Sequence, residues 1–364
     1  MKISKFTQFI KESTELELHY YAFDWDDNIL HMSTLIHMDK KEGDSWVPVD
    51  VSTADFAKVR NDKENYRMRN NNPDEAYSEF RDFGPRGPKA FLEDTKSALS
   101  KNDLGPAWKS FIQCLSEGAL FAIITARGHE PDSIRESVEY IIDNNLSDDE
   151  KFLLYSNCLK HAYIFKGDKE VDFDRIPKGQ LSKTPLVKTY LDSCYYWGVS
   201  SNTFRKEFLE KYWAEGNASN PEKAKEMALD FFIKKCHELG DKVNAKSVSL
   251  GFSDDDPGNV EHVRKFFKAK SALSGMKLNL YDTNKRGEAP KRTRYQAGEE
   301  TKFHENAGSS IAPGMASSVM PFTQFNNMAD RMFTNNQEQD KSMRLGSAQL
   351  AKMSKNIKKK REGK

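Results

Sequence analysis

Cysteine is scarce, with four in 364 residues at positions 114, 158, 194 and 236, and no two form a Cys-x-x-Cys pair. That usage argues against a disulfide framework and fits a reducing compartment with buried or inert thiols. The eight histidines are scattered and no His-Glu-x-x-His occurs, which removes the zinc-protease pattern. No apolar run approaches the ~20 residues that a membrane span needs. The opening MKISKFTQFIKES alternates charged and apolar residues and lacks the unbroken apolar stretch of a secretory signal. An excess of one charge is missing too, since the net value of +1 favours neither an acidic nor a basic partner for the whole chain. These absences point to a cytoplasmic protein, without a membrane partner.

What is present suits a soluble globular protein with a polar appendage, at 37% hydrophobic and 30% charged residues. Residues 1–18 read as an amphipathic helix or leader, with Phe6, Phe9 and Ile10 at helical spacing. Strands are expected at His19 to Phe23, Leu120 to Ile124, Tyr163 to Phe165 and Val248 to Phe252. Ile29 to Met38 and Trp46 to Val51 read as a hairpin turning at Gly43. Helices are expected after Thr125, from Pro185 to Cys194, from Pro221 to Leu239, and after Pro257 with Val260, Val263 and Phe267 inward. Strands alternating with helices give an α/β class, a Rossmann-like parallel sheet sandwiched by helices. Residues 19–283 form that domain, interrupted near 34–118 and 195–240, and 284–364 read as a low-complexity, largely disordered basic tail.

Three signatures end apolar strands in a fixed order. They are Phe23-Asp24-Trp25-Asp26-Asp27, Ile124-Thr125-Ala126-Arg127, and Phe252-Ser253-Asp254-Asp255-Asp256-Pro257-Gly258-Asn259. In a parallel α/β sheet the carboxyl ends of the strands share one crevice. Asp24, Asp26, Thr125, Asp254 and Asp255 are therefore expected together. Clustered carboxylates repel one another unless a cation compensates, and hard oxygen ligands without Cys or His favour Mg²⁺. Each signature alone reads as an ordinary loop, cap or helix start; their joint order is the signal.

Together these residues resemble the haloacid dehalogenase-like superfamily of phosphohydrolases, over roughly Tyr20 to Phe267 with interruptions. The resemblance implies that Asp24 attacks phosphorus and forms an aspartyl-phosphate. It implies that Asp26 protonates the leaving oxygen and later activates water, and that Thr125 holds a phosphoryl oxygen. Asp24, Asp26, Asp254 and Asp255 would hold Mg²⁺, and the hairpin after Asp27 matches the family's flap. Two features depart from the family pattern. Asn28 stands where Thr or Val is common, and the lysine that neutralises the site has three candidates, Lys183, Lys223 and Lys225, of which Lys225 is preferred.

Arg127 has two readings, a contact to substrate phosphate or a structural salt bridge, and His129 reads chiefly as a solvated helix-start residue. The aromatic cluster of Tyr195, Tyr196, Trp197, Phe204, Phe208, Tyr212 and Trp213 reads as core rather than as a base-stacking surface. The expected partner is a phosphorylated small molecule or a nucleic-acid terminus. Lys291-Arg292-Thr293-Arg294 and Lys358 to Arg361 add a protein or nucleic-acid contact through the tail as a minority reading. The opening through Ile10-Lys11-Glu12 looks like cleaved leaders of tailed-phage head proteins. The competing functional reading, motivated by Asn28 and the unsettled lysine, is a catalytically weak binding or virion-structural module acting through the tail.

Overall fold

Tyr20 to Phe23, four consecutive buried residues, mark the first strand as a central strand, covered on both faces, of a seven-stranded sheet in the computed structural model, which describes residues 17–160, 173–209, 221–284 and 290–303. The strands are β1 (Glu17–Phe23), β2 (Ile36–Glu42), β3 (Ser45–Val51), β4 (Tyr66–Met68), β5 (Phe121–Thr125), β6 (Tyr195–Gly198), β7 (Ser247–Asp254), β8 (Lys277–Asp282), β9 (Lys291–Gln296) and β10 (Glu299–Phe303). The large sheet runs β10-β9-β8-β7-β1-β5-β6, and β2, β3 and β4 form a separate three-stranded sheet. β8, β7, β1, β5 and β6 are parallel, while β9 and β10 add an antiparallel edge. The fold is a Rossmann-like α/β arrangement with a largely parallel sheet.

The pleat decides what each face buries. Tyr21 and Phe23 point to one face, where Phe111 of the Trp108–Ser116 helix meets Phe23 edge-on at 5.4 Å and Phe121 at 5.8 Å. Tyr20 points to the other, against Phe232 of the Pro221–Lys242 helix. On that same face Phe267 of the Pro257–Ser274 helix packs on Tyr295 of β9. Helices thus cover both faces. The chain leaves β1 toward β5 and β6, then returns to the opposite side of β1 as β7 and β8. The direction of winding reverses between β1 and β7, and in such sheets that reversal opens the ligand crevice at the carboxyl ends.

Several expectations change here. Tyr195 to Gly198, read as part of an insertion, is β6 and pairs with β5. The Pro221–Lys242 helix, from the same stretch, covers the sheet rather than standing apart from it. Trp108–Ser116 likewise belongs to the core. The reason is that alternating aromatics in a short run carry no mark of whether they lie beside β5 or in a cap. The tail does not begin at 284: β9 and β10 extend the sheet, with Tyr295 fully buried. Lys291-Arg292-Thr293-Arg294 is strand β9, and Arg292 is buried, donating to Asn279 Oδ1 at 3.1 Å with its guanidinium 4.8 Å from the Phe303 ring. The arginines look like a solvated charge run in sequence because their stems and planes supply packing surface that composition counts as polar.

The hairpin turns at Gly43 as expected, its φ of +61° suiting a residue without Cβ, but its first strand runs from Ile36 to Glu42 rather than from Ile29 to Met38. Tyr195, Trp197, Phe204 and Phe208 pack with Phe231 in one aromatic cluster, the core reading. The strand expected at Tyr163 to Phe165, the N-terminal helix, Tyr212, Trp213 and the tail beyond 303 lie outside the described residues. All four cysteines are buried and unpaired. Among the described residues no helix is long and apolar enough to cross a membrane.

Candidate functional site

The reversal point gathers the acidic residues. Asp24 follows β1 and Asp254 ends β7, both on the face covered by the Pro221–Lys242 helix because they continue the Tyr20-Ala22 and Leu250-Phe252 alternation. That helix starts at Pro221, and its buried stripe includes Ala224, Lys225, Ala228, Leu229 and Phe232. Lys225 occupies an apolar position of the stripe and is aimed at the strand ends. Its Nζ donates to Asp254 Oδ2 at 2.8 Å and lies 3.2 Å from Asp24 Oδ1. Lys225 is the lysine at the site. Lys183 instead pairs with Glu139, and Lys223 pairs with Glu226 on the surface.

Asp254 is fully buried and each of its oxygens is engaged. Oδ1 accepts from the backbone N–H of Asp256 at 2.9 Å and from Asn259 Nδ2 at 3.2 Å. Asp256 caps the following helix, accepting from Gly258 N and Asn259 N, and its other oxygen pairs with Arg60 at 2.7 Å. Asp24, Asp254 and Asp255 present carboxylate oxygens that all lie within 4.8 Å of one another. The set could hold a metal ion, and its three carboxylates face one lysine.

The electrostatics carry the same message. Burial pushes the Asp24 carboxyl up to about 8; Lys225 opposes this, and the charges of Asp254 and Asp26 add to it. Burial, then Asp254, Asp24 and Asp27, hold Asp255 well above the ordinary carboxylate range. Burial works against the Lys225 ammonium, yet Asp24 and Asp254 outweigh it and raise the group further. Burial is the main cause of both upward shifts, and the neighbouring carboxylates add to it.

Asp26 departs from the expected ligand set. It does not belong to the three-carboxylate group, because Arg127 forks its two oxygens, Nε to Oδ2 at 2.7 Å and Nη2 to Oδ1 at 2.5 Å. A bidentate guanidinium is a strong competitor for a carboxylate. Of the two readings of Arg127, the salt bridge is the one in place: the side chain is buried and turned from solvent. Thr125, ending β5, lies beside Asp26 with its hydroxyl 3.4 Å from Oδ2. His129 is neither solvated nor at the site mouth. It is fully buried, its ring 5.0 Å from Phe91, and burial lowers its pKa to about 2, so it is neutral.

Asn28 has a local purpose of its own. Its Nδ2 reaches the Asp24 carbonyl at 2.9 Å, the Ser253 carbonyl at 3.2 Å and Ser253 Oγ at 2.9 Å, while its Oδ1 accepts from Thr283 Oγ1 at 2.9 Å. One buried amide thereby ties together the ends of β1, β7 and β8. Asp27 turns the loop with φ of +53°, and its carboxylate takes Thr53 Oγ1 at 2.5 Å and His31 Nδ1 at 2.7 Å. Thr34, Asp94 and Arg60 escaped the sequence reading, since no spacing relates them to the strand-end motifs, and Asn28 stood out there only as a departure from the family pattern. Lys225 carried a signal, a lysine on an otherwise apolar helix stripe.

Compared with family models, curated proteins and solved structures, the chain matches none of them.

Proposed function

We propose that the chain is a Mg²⁺-dependent phosphomonoesterase of the haloacid dehalogenase-like type, acting on a phosphorylated small molecule or a nucleic-acid terminus through an aspartyl-phosphate. The observation that carries the reading is the buried Asp24–Lys225–Asp254 triad with Asp255 beside it, at the reversal point of a parallel sheet. Such a constellation has little value for stability alone, because burying three carboxylates against one ammonium is costly. It suits the binding and transfer of a phosphoryl group.

In this reading an Asp24 oxygen attacks phosphorus, and the bond from phosphorus to the ester oxygen breaks. Asp26, two residues on, gives its proton to the departing oxygen. Water then attacks the phosphorus of the aspartyl-phosphate, Asp26 takes a proton from it, and the bond to Asp24 breaks to release inorganic phosphate. Lys225 balances charge on Asp24 and the phosphoryl oxygens, and Thr125 donates its hydroxyl toward the same group. Asp24, Asp254 and Asp255 would hold Mg²⁺, which supplies charge neutralisation between the anionic ester and the anionic nucleophile.

The test is hydrolysis of p-nitrophenyl phosphate with Mg²⁺ by the wild type and by Asp24→Asn. Activity that falls at least ~10³-fold in the variant supports the assignment, the scale seen when one member of a catalytic unit is removed. Equal and negligible rates in both proteins overturn it and leave the binding or virion-structural module as the better account. A panel of sugar phosphates, nucleotides and 3′-phosphorylated oligonucleotides then separates the substrate classes.

A further inference from the structure

We propose that Arg127 is a positioning residue for Asp26, and that Thr34, Asp94 and Arg86 in turn fix Arg127. The inference rests on the reading of Asp26 as proton donor and acceptor, and adds to it a buried chain of side chains that sets the direction of that carboxylate.

The chain is continuous in hydrogen bonds. Arg127 forks Asp26 at 2.7 and 2.5 Å, and its Nη2 also donates to Thr34 Oγ1 at 2.8 Å. Thr34 donates onward to Asp94 Oδ2 at 2.5 Å. Arg86 forks Asp94 from the far side, Nη1 to Oδ2 at 2.8 Å and Nη2 to Oδ1 at 2.7 Å. Ser33 adds a bond to Asp94 Oδ1 at 3.1 Å. Beyond Arg86 lies Glu79 at 3.5 Å, whose other oxygen meets His37 of β2 at 3.3 Å. Three carboxylates and two guanidiniums, with the Thr34 hydroxyl between Arg127 and Asp94, run from the site to the hairpin.

Packing locks the middle of this chain. The Arg127 guanidinium lies 4.4 Å from the Phe80 ring and 5.3 Å from that of Phe91. Arg127, Thr34 and Asp94 are each at most 3% exposed. A planar fork held by aromatic rings has one orientation, so the carboxylate it grips has one as well. Burial of this kind is poor value for stability. Arg127 Nη1 and both ring nitrogens of His129 even stay without hydrogen-bond partners among the described residues. Fixed geometry is the return that remains.

The fork orients Asp26 without blocking it. A carboxylate offers about four acceptor positions, and the fork uses one on each oxygen. The Asp26 side chain keeps 15% exposure, so its outer edge stays open to a leaving group or a water. Proton transfer depends steeply on such placement, with ~10²-fold lost for a displacement on the order of 1 Å.

The experiment measures kcat/KM with Mg²⁺ for aryl phosphates running from p-nitrophenyl to phenyl, plus an alkyl phosphate. The variants are Asp94→Asn, Arg127→Lys and Arg86→Gln, the last at a partly exposed position chosen to preserve folding. A good leaving group departs without a proton, whereas a poor one needs a well-placed acid. The expected result is a steeper dependence on leaving-group basicity. In Asp94→Asn and Arg127→Lys the alkyl ester loses ~10- to 100-fold, and p-nitrophenyl phosphate changes less than ~3-fold. Arg86→Gln moves the same way by less.

A uniform loss across the series, or no change in folded Arg127→Lys and Arg86→Gln, overturns the positioning role while the phosphatase reading stands. A wild type that cleaves none of the esters overturns that reading itself, and this inference with it.

Discussion

Lys225→Met tests the charge balance at the centre of the site independently of any substrate. The substitution keeps an unbranched side chain one atom shorter and removes the ammonium that sits 2.8 Å from Asp254 and 3.2 Å from Asp24. All three groups are buried, so the loss resembles breaking a buried ion pair by deleting one partner, about 3–5 kcal/mol. Asp254→Asn alone costs less, about 1–2 kcal/mol, because an amide oxygen still accepts from Asp256 N and Lys225 keeps Asp24. The double variant removes the Lys225–Asp254 pair from both sides but still leaves Asp24 without its cation, so its cost falls short of the sum only by the Asp254 share, about 1–2 kcal/mol. Urea unfolding in a chelating buffer near pH 9, above the Asp24 value of about 8, measures the cycle, provided the slope with denaturant is unchanged. The penalty of Lys225→Met shrinks near pH 6, where Asp24 carries a proton. Additivity within ~0.5 kcal/mol would refute the argument, since it would mean that lysine and carboxylate do not sense each other.

Three further outcomes follow from the same coordinates. Asp24 binds its proton more tightly folded, at about 8, than at its ordinary value of 3.8, so the folded state holds more protons between those limits. Asp24 therefore lowers the stability of metal-free protein as pH rises through that window, and Mg²⁺ should raise the thermal midpoint more near pH 8.5 than near pH 5, by a differential scanning measurement. Asn28→Leu strips one amide from the ends of β1, β7 and β8 and removes the Asn28 donor from the Asp24 carbonyl and the Asn28 acceptor from Thr283 Oγ1, while the Ser253 carbonyl keeps the Asp24 N–H, a cost of about 2–3 kcal/mol in chemical denaturation. A chain ending after Thr283 loses β9 and β10 and uncovers Phe267 and Leu280, so it should unfold at markedly lower urea than one ending after Phe303; equal midpoints would show that the edge hairpin adds nothing.

The parallel strands β1, β5 and β7 were legible because each is an apolar run ended by an abrupt polar motif. Short buried strands of that kind announce themselves by composition. The hairpin at Gly43 was legible for a similar local reason. β6, by contrast, is four residues long and aromatic, and β8 to β10 mix charge with apolar residues, so no local pattern set them apart from loops. The boundary drawn at 284 was a reading of composition, whereas the sheet edge recruits Arg292 and Tyr295 through packing that composition does not record.

Local chemistry by itself determined which carboxylates stand at the ends of β1 and β7, because strand period and strand end are properties of a few consecutive residues. Only the tertiary structure decided which groups they meet. Lys225 comes from 29 residues before Asp254 and Arg127 from 101 residues after Asp26, and no short-range pattern carries a pairing over such separations. The three-dimensional fold chose Lys225 over Lys183 and Lys223 as the site's cation. It also paired Asp26 with the Arg127 guanidinium, since a carboxylate goes to whichever partner the packing brings within reach.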